Sequence, residues 1–170
     1  MQWHIFYIDT NNTIRQRSMT NKTSLWTDGP LNKLGLKAYG SNTVGMQACW
    51  YGNFYGDADY LHSPVPNSGD SLTTHTNDTG MHLWYASDET TFKQYGWRES
   101  SNGGLDWVYQ EDWPSMNGHA GVGCYSWGPG TVTYVMMANL DNAVEVWWKD
   151  TNATLQNTTT HPINQWTKSE

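Results

Sequence analysis

The sequence predicts an all-β protein, about three four-stranded blades of a β-propeller. Three observations carry that reading. No stretch sustains the 3.6-residue apolar period of a helix, and Gly, Asn and Thr are spread throughout. Short alternating or β-branched and aromatic runs recur, bounded by turn residues. Finally, a strand–turn–strand–Trp pattern occurs three times, at a spacing that suits propellers or solenoids.

Taken in chain order, strands are expected at residues 3–9, 13–19, 44–51, 81–86, 91–97, 120–127, 132–138 and 143–149. Shorter ones are expected at 25–26, 105–109 and 165–167. Three segments align without gaps. His4-Ile5-Phe6-Tyr7 leads to Thr13-Ile14-Arg15-Gln16, and His82-Leu83-Trp84-Tyr85 leads to Thr91-Phe92-Lys93-Gln94. Tyr134-Val135-Met136-Met137 leads to Ala143-Val144-Glu145-Val146. A polar turn joins each pair, and a Trp opens a third short strand in each copy: Trp26, Trp107 and Trp166. A fourth strand type, small-residue and Cys-containing, precedes the second and third copies as Gly45-Met46-Gln47-Ala48-Cys49-Trp50 and Gly121-Val122-Gly123-Cys124-Tyr125-Ser126-Trp127. Small side chains suit an inner strand, where converging sheets leave little room.

Ile14 and Phe92 lie 78 residues apart, Phe92 and Val144 only 52. The excess is one stretch, 53–80, rich in Asp, Ser, Pro, Asn and Gly, which reads as an inserted surface loop. The expected organisation is a single propeller unit over 1–170, with repeats at about 3–52, 81–128 and 132–170. Four strands in roughly 50 residues matches a propeller blade, and rings hold four to eight blades. Three blades alone would expose apolar faces and sheet edges. The chain is therefore expected to be half of a six-bladed ring, completed by a second copy or by a longer polypeptide. A self-contained sandwich is the alternative.

The 170 residues suffice for one domain with a sizeable core. Lys plus Arg number 9 and Asp plus Glu 16, a net charge of −7, which argues against nucleic acid or an anionic membrane as partner. Aromatic residues make up 14% and charged residues 15%, the reverse of a disordered composition. No apolar run approaches the roughly 18 residues of a membrane span. The first residues show no signal-peptide pattern, which leaves open a processed or excised piece. Five N-x-[ST] sequons, at Asn11, Asn21, Asn77, Asn152 and Asn157, favour a secreted, extracellular glycoprotein. Cys49 and Cys124 are too few for a disulfide framework; buried thiols are favoured over a single bridge.

These repeats resemble the fungal fucose-specific lectin family, the Aleuria-type six-bladed propellers. Family blades read roughly I-R-V-Y, a turn, I-x-E-x-x-W, a G-W-x-x-G third strand and a small-residue inner strand ending in Trp. Trp26-Thr27-Asp28-Gly29-Pro30 is the nearest copy of the third-strand motif. The resemblance implies sugar binding between neighbouring blades, where an Arg on the first strand and a Glu on the second bind hydroxyls and Trp side chains of the next blade stack on the sugar. In this chain the Arg position holds Ile5, Leu83 and Val135, and the Glu position Gln16, Gln94 and Val146. Loss of the guanidinium removes a charged, multi-donor fork. The best remaining half-pocket combines Gln16 with Trp97 and Trp107; a second pairs Gln94 with Trp166 but has Lys149 where a stacking Trp would sit. An aromatic platform plus an amide is adequate for a pyranose. The bland reading of the same residues is blade packing.

A propeller glycosidase would need paired carboxylates about 5–10 Å apart. Most acids here fall in turns or loops, and Asp106, Glu111 and Asp112 are the one group to test. His4 and His82 occupy equivalent repeat positions and need no metal to explain them, and no nucleotide motif occurs. Trp147 and Trp148 point to opposite faces by the two-residue period. The expectation is a secreted, non-enzymatic lectin-like module without metal or cofactor, binding a glycan, with fucose the candidate sugar. The alternative is a structural or protein-interaction propeller that has lost sugar binding; a glycosidase ranks third.

Overall fold

A computed structural model of the chain describes residues 3–19, 24–40, 45–51, 80–99, 101, 105–127, 132–150 and 165–170. The expected insertion at 53–80 falls outside them, apart from Gly80.

The described residues form three antiparallel sheets in chain order. The first is β1 (Trp3–Ile8), β2 (Ile14–Met19) and β3 (Thr27–Asp28), paired in that order. The second is β4 (Met46–Tyr51), β5 (Gly80–Ala86), β6 (Thr91–Glu99) and β7 (Leu105–Pro114). The third is β8 (Val122–Trp127), β9 (Val132–Ala138), β10 (Val144–Asp150) and β11 (Thr167–Lys168). Each is a meander, so the protein is all-β as the repeats predict. The small-residue strands β4 and β8 pair with β5 and β9, and they pack on each other across the junction between the sheets.

The short third strand of the first sheet falls at Thr27–Asp28, just after the expected 25–26, and two further elements differ from expectation. β7 continues to Pro114 instead of stopping at 109, pairing with β6 along its length with one irregularity at Gln94/Tyr95. As an edge strand it tolerates Glu111, Asp112 and a terminal Pro. After β3 the chain forms a 3-10 turn over Pro30–Leu34, which no periodic pattern announces. Pro30 opens it, and Gly35 ends it at φ 59, in the left-handed region where no Cβ is tolerated easily.

The three hairpin turns share one plan. Asp9, Ser87 and Asn139 each donate a backbone N–H to the carbonyl four residues on, at 2.9, 3.0 and 2.9 Å. Asp9 Oδ1 also accepts from the N–H groups of Asn11 and Thr13, both at 2.9 Å. Asn139 Oδ1 repeats this with Asp141 and Ala143 at 3.0 Å. Asn12 and Asn142 take left-handed φ values of 59° and 61°, which Asn accepts at low cost. The blades are stitched by a repeated backbone bond: Tyr39 N–H donates to Ala86 O, and Asn117 N–H to Ala138 O, both at 2.8 Å.

The core lies between sheets. Ile14, Leu31, Leu83, Tyr85 and Trp107 fill the first junction. Trp84, Phe92, Trp113, Met116, Val135 and Met137 fill the second. Repeat-equivalent positions then divide sharply. Leu83 and Val135 are fully buried, whereas Ile5 is 48% exposed; Ile14 and Phe92 are fully buried, whereas Val144 is 69% exposed. The first and last blades thus each expose an apolar residue at a position that the inner junctions cover.

Candidate functional site

At the first junction the structure brings Gln16, Trp107 and Trp97 together. Gln16 is completely buried on β2. Its Oε1 accepts from Trp107 Nε1 at 3.0 Å and from the Leu31 backbone N–H at 3.1 Å. Two N–H donors on one atom fix which end of the amide is oxygen. Its Nε2 therefore donates to His4 Nδ1, at 3.0 Å. His4 is accordingly the neutral tautomer with its proton on Nε2, and burial lowers its pKa below the ordinary imidazole value. Trp107, itself buried, meets the half-buried Trp97 edge-to-face at 5.9 Å. Leu31, carried by the 3-10 turn, occupies the interior of this junction. The turn is close-fitted: a Cβ at Gly29 would run into the Gln16 side chain.

The second junction repeats the plan with one change. Gln94 is buried, its Nε2 donates to His82 Nδ1 at 2.9 Å, and its Oε1 accepts from Trp113 Nε1 at 3.0 Å. Its indole partner is thus Trp113 of its own blade. Trp166, half-buried, sits one step further out, edge-to-face with Trp113 at 5.2 Å and with Trp84 at 5.8 Å. Among the described residues, the enclosed Nε1 atoms of Trp84 and Trp166 have no hydrogen-bond partner. Lys149 lies where a stacking Trp was absent from the pattern, its Nζ 5.6 Å from the Trp166 ring centre in a cation–π contact. Trp147 packs edge-to-face on Trp113 at 5.4 Å. At both junctions a Gln holds one indole by its N–H, and that indole supports a second, partly exposed one.

Trp113, Trp84, His4, His82 and Leu31 belong to these constellations and were not singled out as site residues from sequence. One signal was readable: His and Gln recur twelve residues apart in two repeats, His4 with Gln16 and His82 with Gln94, and the third repeat changes both, to Tyr134 and Val146. Trp113 lies in the part of β7 beyond the expected strand. The positions that hold Arg in the resembled family are apolar here, with Leu83 and Val135 serving as core.

The acidic trio does not converge. Asp106 and Asp112 lie six residues apart on β7, about 20 Å at strand rise, well beyond a glycosidase pair. Asp106 instead binds Lys33 Nζ at 2.5 Å. Among the described residues no three His, Cys, Asp or Glu side chains gather as a metal site, and no helix is long and apolar enough to cross a membrane.

No family model and no curated protein matches the chain. Solved structures do. A mutant of Aleuria aurantia lectin in complex with α-methyl-L-fucoside is similar at TM-score 0.62 and 16% identity, over 99% of this chain and 41% of that one. An Aleuria aurantia lectin structure described as a six-bladed β-propeller is similar at TM-score 0.61 and 16% identity, with the same coverage. A fucose lectin from Kordia zhangzhouensis in complex with methyl-fucoside is similar at TM-score 0.61 and 14% identity, over 99% of this chain and 89% of that one. The chain thus spans about two-fifths of the Aleuria structures and most of the Kordia chain, and its fold is that of one half of a six-bladed β-propeller.

Proposed function

We propose that the chain is a secreted, non-catalytic carbohydrate-binding module that takes a sugar, fucose first among the candidates, in the clefts between blades. The observation that carries this is the repeated Gln–Trp–Trp constellation at both junctions of a fold shared with structures that hold fucosides. Trp97 and Trp166, the partly exposed indoles, are the stacking platforms for the apolar face of a pyranose. Gln16 and Gln94, whose amide oxygens are engaged by Trp107 and Trp113, are positioning residues beneath those platforms. With neutral partners only, each site is weak, and usefulness comes from several sites per ring.

The exposed faces support the ring. Ile5 and Val144 occupy positions that neighbouring blades bury elsewhere, so further blades, from a second copy of this chain or from a longer polypeptide, pack there. The second reading, a scaffold that has lost sugar binding, is favoured by the internal satisfaction of both Gln amides.

A glycan array with fucosylated and non-fucosylated members, run on a sample whose mass is known from light scattering, tests the proposal. Hits blocked by free L-fucose and lost on Trp97→Ala or Trp166→Ala are expected, each substitution weakening its site about tenfold. An array without hits leaves the scaffold reading. A dimer mass supports closure by a second copy.

A further inference from the structure

We propose that Cys49 and Cys124 are a cross-linking pair, a dithiol that closes to a disulfide between the innermost strands of the second and third blades. This stands apart from the sugar-binding reading. The two residues are in different repeats and 75 positions apart, and neither belongs to a CxxC motif. Blade geometry nevertheless brings them together. Cys49 stands on β4 opposite His82, Cys124 on β8 opposite Val135, and β4 and β8 pack against each other. Both side chains are half-buried against the same apolar cluster at the second junction. The neighbouring Cys49 thiol, together with burial, pushes the Cys124 pKa above the ordinary thiol value.

A disulfide requires sulfurs at about 2.05 Å on Cα atoms about 4.4–6.8 Å apart, a separation that neighbouring packed strands supply. Thiols carried by these two packed strands against one apolar cluster close it by side-chain rotation. The co-reactant is a low-molecular-weight disulfide such as oxidised glutathione. Cys49, as thiolate, attacks one sulfur of that disulfide and expels one glutathione thiolate. Cys124 then loses its proton to solvent and attacks the Cys49 sulfur of the mixed disulfide, expelling the second. The balance is two protein thiols plus one glutathione disulfide giving one protein disulfide plus two glutathione thiols. The product staples the two blades at the ring's inner edge and closes a long loop, which restricts the unfolded chain. Such a bond suits the oxidising compartment to which the five sequons point.

The full chain is incubated with oxidised glutathione and, separately, with dithiothreitol, then analysed by intact mass and by thiol titration in denaturant. Closure predicts a chain about 2 Da lighter with no free thiol and no change in oligomer size on a non-reducing gel. A Cys49–Cys124 cross-linked peptide and a Tm raised by roughly 5–15 °C over the reduced form are also expected. Cys49→Ser and Cys124→Ser should each lose the mass change and instead carry one glutathione. The inference is overturned by two titratable thiols after oxidation of the unmodified chain, by two stable glutathione adducts, or by a cross-link between chains. All three readouts use the native sequence, so poor folding of a variant does not shield it.

Discussion

Gln16 Oε1 accepts a hydrogen bond from Trp107 Nε1 at 3.0 Å, joining the second strand of one blade to the third strand of the next across 91 residues of sequence. The same oxygen accepts from Leu31 N–H, so a single buried amide organises the first junction. Gln16→Met should therefore leave two buried donors unpaired and destabilise by about 2–4 kcal/mol, while Trp107→Phe removes one bond and some apolar area, for about 1–2 kcal/mol. Urea unfolding of the two variants and of the double variant measures this. The double variant should cost less than the sum, because the two changes remove the same bond.

The neutral His4 gives stability a pH dependence of defined sign. Its folded pKa lies below the unfolded value of 6.5 because burial disfavours the imidazolium. Between the two values the unfolded chain binds more protons, so stability falls as pH drops below about 6.5 and the loss levels off under the folded pKa. Protonating Nδ1 would also end its acceptance of the Gln16 amide. His4→Asn should flatten the difference in unfolding free energy between pH 7 and pH 5, read by denaturant melts at the two values. An unchanged slope would show that His4 is not the titrating group.

Asp9 acts in a lower window. The Thr13 backbone N–H, then the Arg15 side chain and the Asn11 N–H, hold its carboxyl down to about 2, from 3.8. A depressed carboxyl stabilises above its unfolded pKa, and that stability is lost as pH falls from about 4 towards 2. Asp9→Asn keeps the Oδ1 acceptor, as Asn139 does in the equivalent turn, and should melt near the native Tm at neutral pH while losing the acid-side slope. Asp9→Ala should lower the Tm at both ends. A neutral-pH Tm equally depressed in Asp9→Asn would assign the stabilisation to the Arg15 ion pair instead.

Two glycines three residues apart offer a contrast in the loop that stitches the second and third blades. A Cβ at Gly118 would collide with the Asp88 carbonyl, whereas at Gly121 it would meet open space. Gly118 N–H also donates to Glu89 O at 2.8 Å, so the loop cannot withdraw without losing that bond. Gly118→Ala should destabilise by about 2–4 kcal/mol and Gly121→Ala by less than about 0.5 kcal/mol, measured by thermal melts. Equal effects would mean that the loop yields freely.

The meander of strands, the polar turns and the blade repeat were determined by sequence alone, because alternation and turn chemistry are local and recur from blade to blade. Gln16, Trp107 and Trp97 could be named together for the same reason: repeat alignment places the second strand of one blade beside the third strand of the next. What the tertiary structure decided is what those groups face. Gln16 and Gln94 read as amides of sugar-binding half-pockets, yet both are buried and matched to indoles. Trp113 rather than Trp166 holds Gln94, because β7 runs on past its expected end. Leu31 fills the first junction from a 3-10 turn too short to carry a period. Cys49 and Cys124 share one apolar cluster only because the inner strands of successive blades pack together. Period and composition report the direction a residue takes from its own strand. Contacts between blades depend on how sheets are set against one another, and that setting has no local signature.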